Sequence, residues 1–227
     1  MKLKNFFRKT VFIMGLLSII NTNQIWSKTT EEVFNDIYKN KSWGKNSSGE
    51  GFSGTGSTLK NTVEYRQFLA DFFTAYNIKS VVDAGCGDWT FSQEINWSGI
   101  NYKGYDLVKF VIEKNRANFG SENIKFFHQD ATKTNKLPAA DLLICKDVLQ
   151  HLPLEDISVF LQNLKQFKFC LITNDIDPKT GTSTNPQIKP GSYRTLDLTQ
   201  PPFLLKGTKI FTFWSGRELK QVLLLTN

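Results

Sequence analysis

"SVVDAGCGDWTFS", Ser80 to Ser92, decides how the rest of the chain is read. Val81 and Val82 place a buried strand over residues 80–84. Gly85 and Gly87 then make a turn too tight for side chains. A turn of this kind at a strand end commonly cradles a nucleotide, but two carboxylates restrict which one. Asp83 precedes the glycines and Asp88 follows them. A pyrophosphate-binding G-x-G-x-x-G turn would need a glycine where the chain has Thr90, and it would not set an acid beside two phosphate charges. The implied ligand is uncharged or cationic near the turn.

Outward from the turn, two periodicities alternate. Asn61 followed by Glu64 predicts a capping box, with Val63, Phe68, Phe72, Phe73 and Tyr76 along one helical face. After the glycine turn a second helix is expected. "NYKGYDL" reads as a strand ending at Asp106, and "VKFVIEKNRANF" as a helix stopped by Gly120. "NIKFFHQD" is a strand ending at Asp130, and "ADLLICKD" a fully apolar strand. Pro153 opens a helix burying Ile157, Phe160, Leu161, Leu164 and Phe167, and "KFCLITND" is a further strand. This alternation predicts an α/β fold, a doubly wound and mostly parallel Rossmann-like sheet. Ligands of such sheets sit at the carboxyl ends of the strands, where Asp83, Asp106, Asp130, Asp147 and Asn174 all fall. Beyond Asn174 the chain runs irregularly through Pro, Gly and Thr, a functional loop by its length. "TKIFTFW" and "LKQVLLLT", separated by "SGRE", then predict a C-terminal antiparallel hairpin.

The chain has 227 residues, enough for one sizeable core, and a formal charge of +7. Lys2, Lys4, Arg8 and Lys9 precede any acid. Without residues 1–27, 24 basic and 21 acidic residues remain, about +3. No basic stripe is interleaved with aromatics, which argues against a nucleic-acid module. "MKLKNFFRK" followed by "VFIMGLLSII" reads as a signal peptide over 1–27, giving an exported, periplasmic or secreted chain. The alternative is a membrane anchor over residues 6–25, the only membrane contact expected. Residues 28–60 are polar and rich in Gly and Ser, and two readings stay open: a flexible linker, or an ordered lid held by Trp43 and Phe52. Residues 61–227 form the functional domain, expected as a monomer. The three cysteines and two histidines show no metal-binding spacing, so no metal is expected.

S-adenosylmethionine fits the acidic glycine turn: it carries an ammonium and a sulfonium and no phosphate. Asp106, 21 positions beyond Gly85, suits the ribose hydroxyls, and Asp130 could accept from the adenine amine. "VVDAGCGDW", "GYDLV", "HQDAT" and "DLLICKDVLQHL" resemble, in order and spacing, the successive motifs of class I S-adenosylmethionine-dependent methyltransferases. The resemblance covers roughly residues 61–227 and implies a seven-stranded sheet ending in a hairpin with one antiparallel strand. It implies that Asp83, Gly85 and Gly87, with Cys86 between them, hold the methionine part. Asp106 with Leu107 would hold the ribose, and Asp130 with Ala131 the adenine. Lys146 to Leu149 would lie beside the sulfonium. No N-P-P-Y-like tetrad follows the fourth strand, which disfavours base methylation and leaves a small molecule or a protein as acceptor.

Methyl transfer asks mainly for positioning and exclusion of water, and for a base only where the acceptor must lose a proton. Asp147, His151 and Asn174 are the candidate catalytic residues, at the ends of the fourth and fifth strands. Each has a structural alternative: a turn cap for Asp147, a positioning role for His151, a strand-end turn for Asn174. Arg194 reads as a loop brace and Trp89 as packing. The acceptor is expected over these strand ends, walled by Gln150 and the loop over 180–203. The competing functional readings are a catalytically degenerate binding protein or secreted effector on the same fold, and an NAD-dependent oxidoreductase.

Overall fold

A computed structural model describes residues 28–133 and 137–227. The proposed targeting segment, residues 1–27, lies outside the described residues. Seven strands form one sheet: β1 (Ser80–Ala84), β2 (Asn101–Asp106), β3 (Ile124–His128), β4 (Ala140–Lys146), β5 (Phe167–Ile176), β6 (Thr208–Ser215) and β7 (Glu218–Thr226). Their spatial order is β3-β2-β1-β4-β5-β7-β6. The first five are parallel, and β7 runs antiparallel between β5 and β6. The winding reverses between β1 and β4, where Asp83 lies opposite Ile144. A crevice opens at such a switch point, because the connections leave to opposite faces of the sheet.

Both faces are covered, which is why the central strands read as continuous apolar runs. Val82, Ala84, Leu143, Cys145, Cys170 and Ile172 belong to one core, and Val81, Leu142, Ile144, Phe169 and Leu171 to the other. The first core is closed by α1 (Thr30–Lys39) and α4 (Leu154–Leu161), the second by α2 (Val63–Ala75). α3 (Lys109–Phe119) places Val111 in the first core and Ile112 in the second. Each large apolar side chain so buried contributes roughly 1.5–3 kcal/mol.

The structure resolves the reading of residues 28–60 in favour of order. α1 is opened by a capping box in which Thr29 Oγ1 accepts from Glu32 N while Glu32 accepts from Thr29 N. Phe34, Ile37 and Tyr38 are buried against the sheet. The capping box expected at Asn61 is not formed, and α2 starts at Val63 with no side-chain cap. Asn61 Nδ2 donates instead to Thr55 O, because a 3-10 turn over Lys60–Thr62 carries the chain into the helix. Its buried face is Tyr65, Leu69, Phe72 and Phe73, while Val63 and Tyr76 are exposed.

Other boundaries differ for local reasons. No α-helix follows β1; the chain makes a turn and a short 3-10 helix over Ser92–Glu94. Trp97 Nε1 donates to Ser92 O and pins that turn, and the Trp89, Trp97 and Tyr102 rings pack together beside it. β3 ends at His128, two residues before Asp130. α4 stops at Leu161, Leu164 sits in a 3-10 turn, and Phe167 opens β5. From 177 to 207 the chain has neither helix nor strand, yet it is braced. Gly191 N, Arg194 N and Leu196 N donate to His151 O, Gln150 O and Asp175 O. The Arg194 guanidinium donates to Leu152 O at 2.7 Å, the bracing role its sequence context suggested.

Candidate active site

The site grows from the glycine turn. Gly85 and Gly87 have φ of +84° and +55°, left-handed conformations that glycine adopts without strain. A Cβ on Gly85 would strike Val148, and one on Gly87 would strike Ser53 Oγ, so the turn is crowded by two other segments. Asp106, at the end of β2, fastens it: Oδ2 accepts from Gly87 N at 3.0 Å and Oδ1 from Val108 N at 2.9 Å. Ser53 locks the opposite side. Its N–H donates to Asp88 Oδ2, its Oγ accepts from Asp88 N, and Tyr38 shares a 2.7 Å hydrogen bond with that hydroxyl.

These parts line a cavity that is partly open to solvent. Phe34, Tyr38 and Trp43 roof it, and Asp83, Asp106, Leu107 and the turn form its floor. Asp83 is buried and its Oδ2 accepts from Tyr102 O–H at 2.7 Å. Burial lifts its carboxyl to about 7, against the opposing pull of that hydrogen bond. Burial likewise lifts Asp106 to about 6, although two backbone N–H groups favour its charge. Two desolvated carboxylates facing one cavity are destabilised as anions, and a cation between them would relieve that.

A row of charges continues along the strand ends. Lys146, at the end of β4, contacts Asp147 at 2.5 Å and Gly56 O at 3.0 Å, with its ammonium over the Tyr65 and Phe91 rings. Lys220 on β7 holds Asp147 at 3.0 Å and Asp175, its partner in the β5–β7 register, at 2.5 Å. Burial alone would raise Asp147, yet the two ammonium groups hold it down at about 2. Burial also lowers Lys146, which shares its single carboxylate, whereas for Lys220 burial is outweighed by Asp147 and Asp175, which keep it above the usual lysine range.

Beyond this row lies a second cavity, bounded by Trp43, Gly54–Gly56, Asp147, His151, Asp175, Tyr193, Glu218 and Lys220. It shares Trp43, Ser53 and Asp147 with the first. The His151 ring lies 5.0 Å from Trp43 and 6.0 Å from Tyr193. Its Nδ1 is 2.9 Å from Ser192 O. A carbonyl only accepts, so Nδ1 carries the proton, and in the neutral ring Nε2 keeps a lone pair. Burial lowers this imidazole below its ordinary range, and the Ser192 contact only partly offsets that. Nε2 has no hydrogen-bond partner among the described residues.

A family model described as "Methyltransferase domain" matches residues 81–167, the span from β1 to the start of β5 that holds the glycine turn, Lys146 and Asp147. Residues 81–167 match a methyltransferase domain. Solved methyltransferases share its fold. Magnesium protoporphyrin IX methyltransferase from Synechocystis PCC 6803, solved with S-adenosylmethionine, is 15% identical, with a TM-score of 0.57 over 88% of this chain and 98% of that one. The N-methyltransferase NodS from Bradyrhizobium japonicum, solved with S-adenosylhomocysteine, is 12% identical, with a TM-score of 0.56 over 74% and 87%. Human N-acetylserotonin methyltransferase is 18% identical, with a TM-score of 0.53 over 88% and 60%. At these identities the likeness is one of fold. No curated protein matches the sequence.

The two cavities gather most of the residues singled out from sequence. Asp83, Gly85, Cys86, Gly87, Asp106, Leu107, Lys146 and Asp147 all line the first cavity, and Asp147 and His151 line the second. Three do not join them. Asp130 turns onto its own chain, its Oδ1 accepting from Thr132 N and Oγ1, and Thr132 reaches the cavity wall in its place. Ala131 is buried in the core. Asn174 lies on the face of β5 shared with Cys170 and Ile172, and strand alternation therefore turns Asp175, not Asn174, into the second cavity.

The two cavities are also lined by residues that sequence reading passed over. Tyr38, Ser53, Gly56, Tyr193 and Lys220 come from segments remote from the motifs, and only Lys220 left a signal: a lysine on the covered face of an apolar strand.

Proposed function

We propose that this methyltransferase domain takes S-adenosylmethionine in the first cavity and passes its methyl group to a small-molecule or protein acceptor in the second. The observation that carries the reading is that the two cavities share walls at the switch point of the sheet. One is floored by two desolvated carboxylates, and the other holds a histidine with a free lone pair. Asp83 would meet the ammonium of the donor, the backbone of Gly85–Gly87 its methionine chain, and Asp106 its ribose through lone pairs left over from Gly87 and Val108. Thr132, not Asp130, is placed toward the base. The donor supplies an activated methyl group; the chain supplies position, dryness and a proton acceptor.

Among the candidate bases, geometry separates the roles. Asp147 is a fixed anion between two ammonium groups, so it is a poor proton acceptor and instead orients Lys146 and Lys220. His151, with Nε2 open, is the group able to take a proton from an acceptor. Titration calorimetry on the full chain should show one S-adenosylhomocysteine site and no NAD site. Incubation with labelled donor and fractionated cell extract should label one fraction. Binding of NAD in place of S-adenosylhomocysteine would overturn the reading.

A further inference from the structure

The second cavity has a charge balance that specifies its occupant. Three carboxylates border it, those of Asp147, Asp175 and Glu218, and two ammonium groups answer them, Lys146 and Lys220. Asp147 and Asp175 are consumed in this network: Asp147 by both lysines, Asp175 by Lys220, Gln150 and Tyr193. Glu218 is not. Among the described residues its only ion pair is with Lys220 at a loose 3.5 Å, and its side chain is 38% exposed at the cavity rim. The network is therefore neutral without Glu218 and carries −1 with it. The remaining walls suit a cation too: the Trp43 and Tyr193 rings line the cavity beside His151, and ring faces attract ammonium groups. Lys220 is 1% exposed and already faces three carboxylates, so it has little to offer an anionic acceptor.

We propose that the methyl acceptor is an amine, drawn in as its ammonium form by Glu218 and the Trp43–Tyr193 rings, and that carboxylate or phosphate acceptors are rejected. This rests on the assignment of the two cavities to donor and acceptor. The ammonium first gives one proton to His151 Nε2, which passes it to water. The freed nitrogen lone pair attacks the methyl carbon of S-adenosylmethionine, and the carbon–sulfur bond breaks with its electrons staying on sulfur. S-adenosylhomocysteine and the protonated N-methylamine leave. No oxidant or metal is needed.

The test measures binding, not turnover. Full-length protein saturated with S-adenosylhomocysteine is titrated with tyramine and butylamine, and in parallel with 4-hydroxyphenylacetate and butyrate, which carry like skeletons with opposite charge. Each amine is expected to bind at least about tenfold tighter than its acid, the scale of one hydrogen bond to a charged group. Glu218→Gln should bring that ratio close to one, and Glu218→Lys should invert it, with S-adenosylhomocysteine affinity unchanged in both. Acids binding as well as amines, amines failing to bind at all, or a ratio indifferent to Glu218 would overturn the amine assignment. Failure of S-adenosylhomocysteine itself to bind would instead bring down the donor-site reading.

Discussion

Asp83 is the residue on which the donor site turns. Its carboxyl stands near 7 because burial disfavours the anion. A cationic donor needs the anion, so donor binding must expel a proton at neutral pH and below. S-adenosylmethionine affinity should therefore rise between pH 5 and 7.5, by up to about 100-fold if only the ionised form binds, each pH unit being worth about 1.4 kcal/mol. Calorimetry in buffers of different ionisation enthalpy reads the released proton directly, and affinity flat across this range would remove Asp83 from the ammonium. His151 and Asp147 make the second residue-scale contrast. His151→Gln should leave donor affinity within a few fold and cut the single-turnover rate by about 10²–10⁴. Asp147→Asn should act differently, loosening Lys146 and Lys220 and lowering the melting temperature. If Asp147→Asn is as stable as the parent while His151→Gln transfers methyl normally, the roles are reversed.

Among the elements, the segment from α1 to Ser57 is the one that makes a site out of a strand end. Tyr38, Trp43 and Ser53 line the first cavity, and Ser53 joins Tyr38 to Asp88 through hydrogen bonds to its carboxylate and its backbone N–H. Ser53→Ala deletes two of those hydrogen bonds and leaves part of the roof unfastened. It should speed S-adenosylhomocysteine release several-fold while lowering global stability by only about 1–3 kcal/mol, the cost of unsatisfied polar groups. Stopped-flow dissociation and denaturant unfolding separate the two effects, and an unaltered release rate would show that the roof does not gate the donor. Trp43 borders both cavities. Trp43→Ala should therefore weaken donor and tyramine binding together, whereas Glu218→Gln touches the second alone.

Across the whole molecule, stability should bend with pH in two directions. Asp83 and Asp106 have folded values raised to about 7 and about 6 from an ordinary carboxyl near 3.8. The folded state thus keeps protons that the unfolded chain has released, and the stability this lends is lost as pH climbs from about 4 to 7. Asp147 has the opposite sign. Held at about 2, it contributes stability that is complete above about 4 and is lost as pH falls towards 2. Donor-free protein should melt highest near pH 4–5, and the rise in melting temperature caused by S-adenosylmethionine should grow towards pH 8. A melting curve that climbs steadily from pH 4 to 8 without donor would contradict the buried carboxylate pair. Lys220→Met, which strands Asp175 beside a half-compensated Asp147, should cost about 3–5 kcal/mol at pH 7.

Sequence by itself determined the alternation of strands and helices, the mostly parallel sheet with its closing hairpin, and the glycine turn between Asp83 and Asp106. Those features are written in periods of two and 3.6 and in turn residues, which act over a few positions. The 3-10 turn in place of a helix after β1 was not legible, because the packing of Trp89, Trp97 and Tyr102 overrides local preference there. Tertiary structure alone decided that Asp175 and not Asn174 faces the second cavity, since one step of strand register exchanges the two faces. It alone brought Ser53 to Gly87 and Lys220 to Asp147, 73 positions apart in the chain. No spacing rule reaches that far: charges find each other across strands only once the hydrophobic layers have set which strands are neighbours.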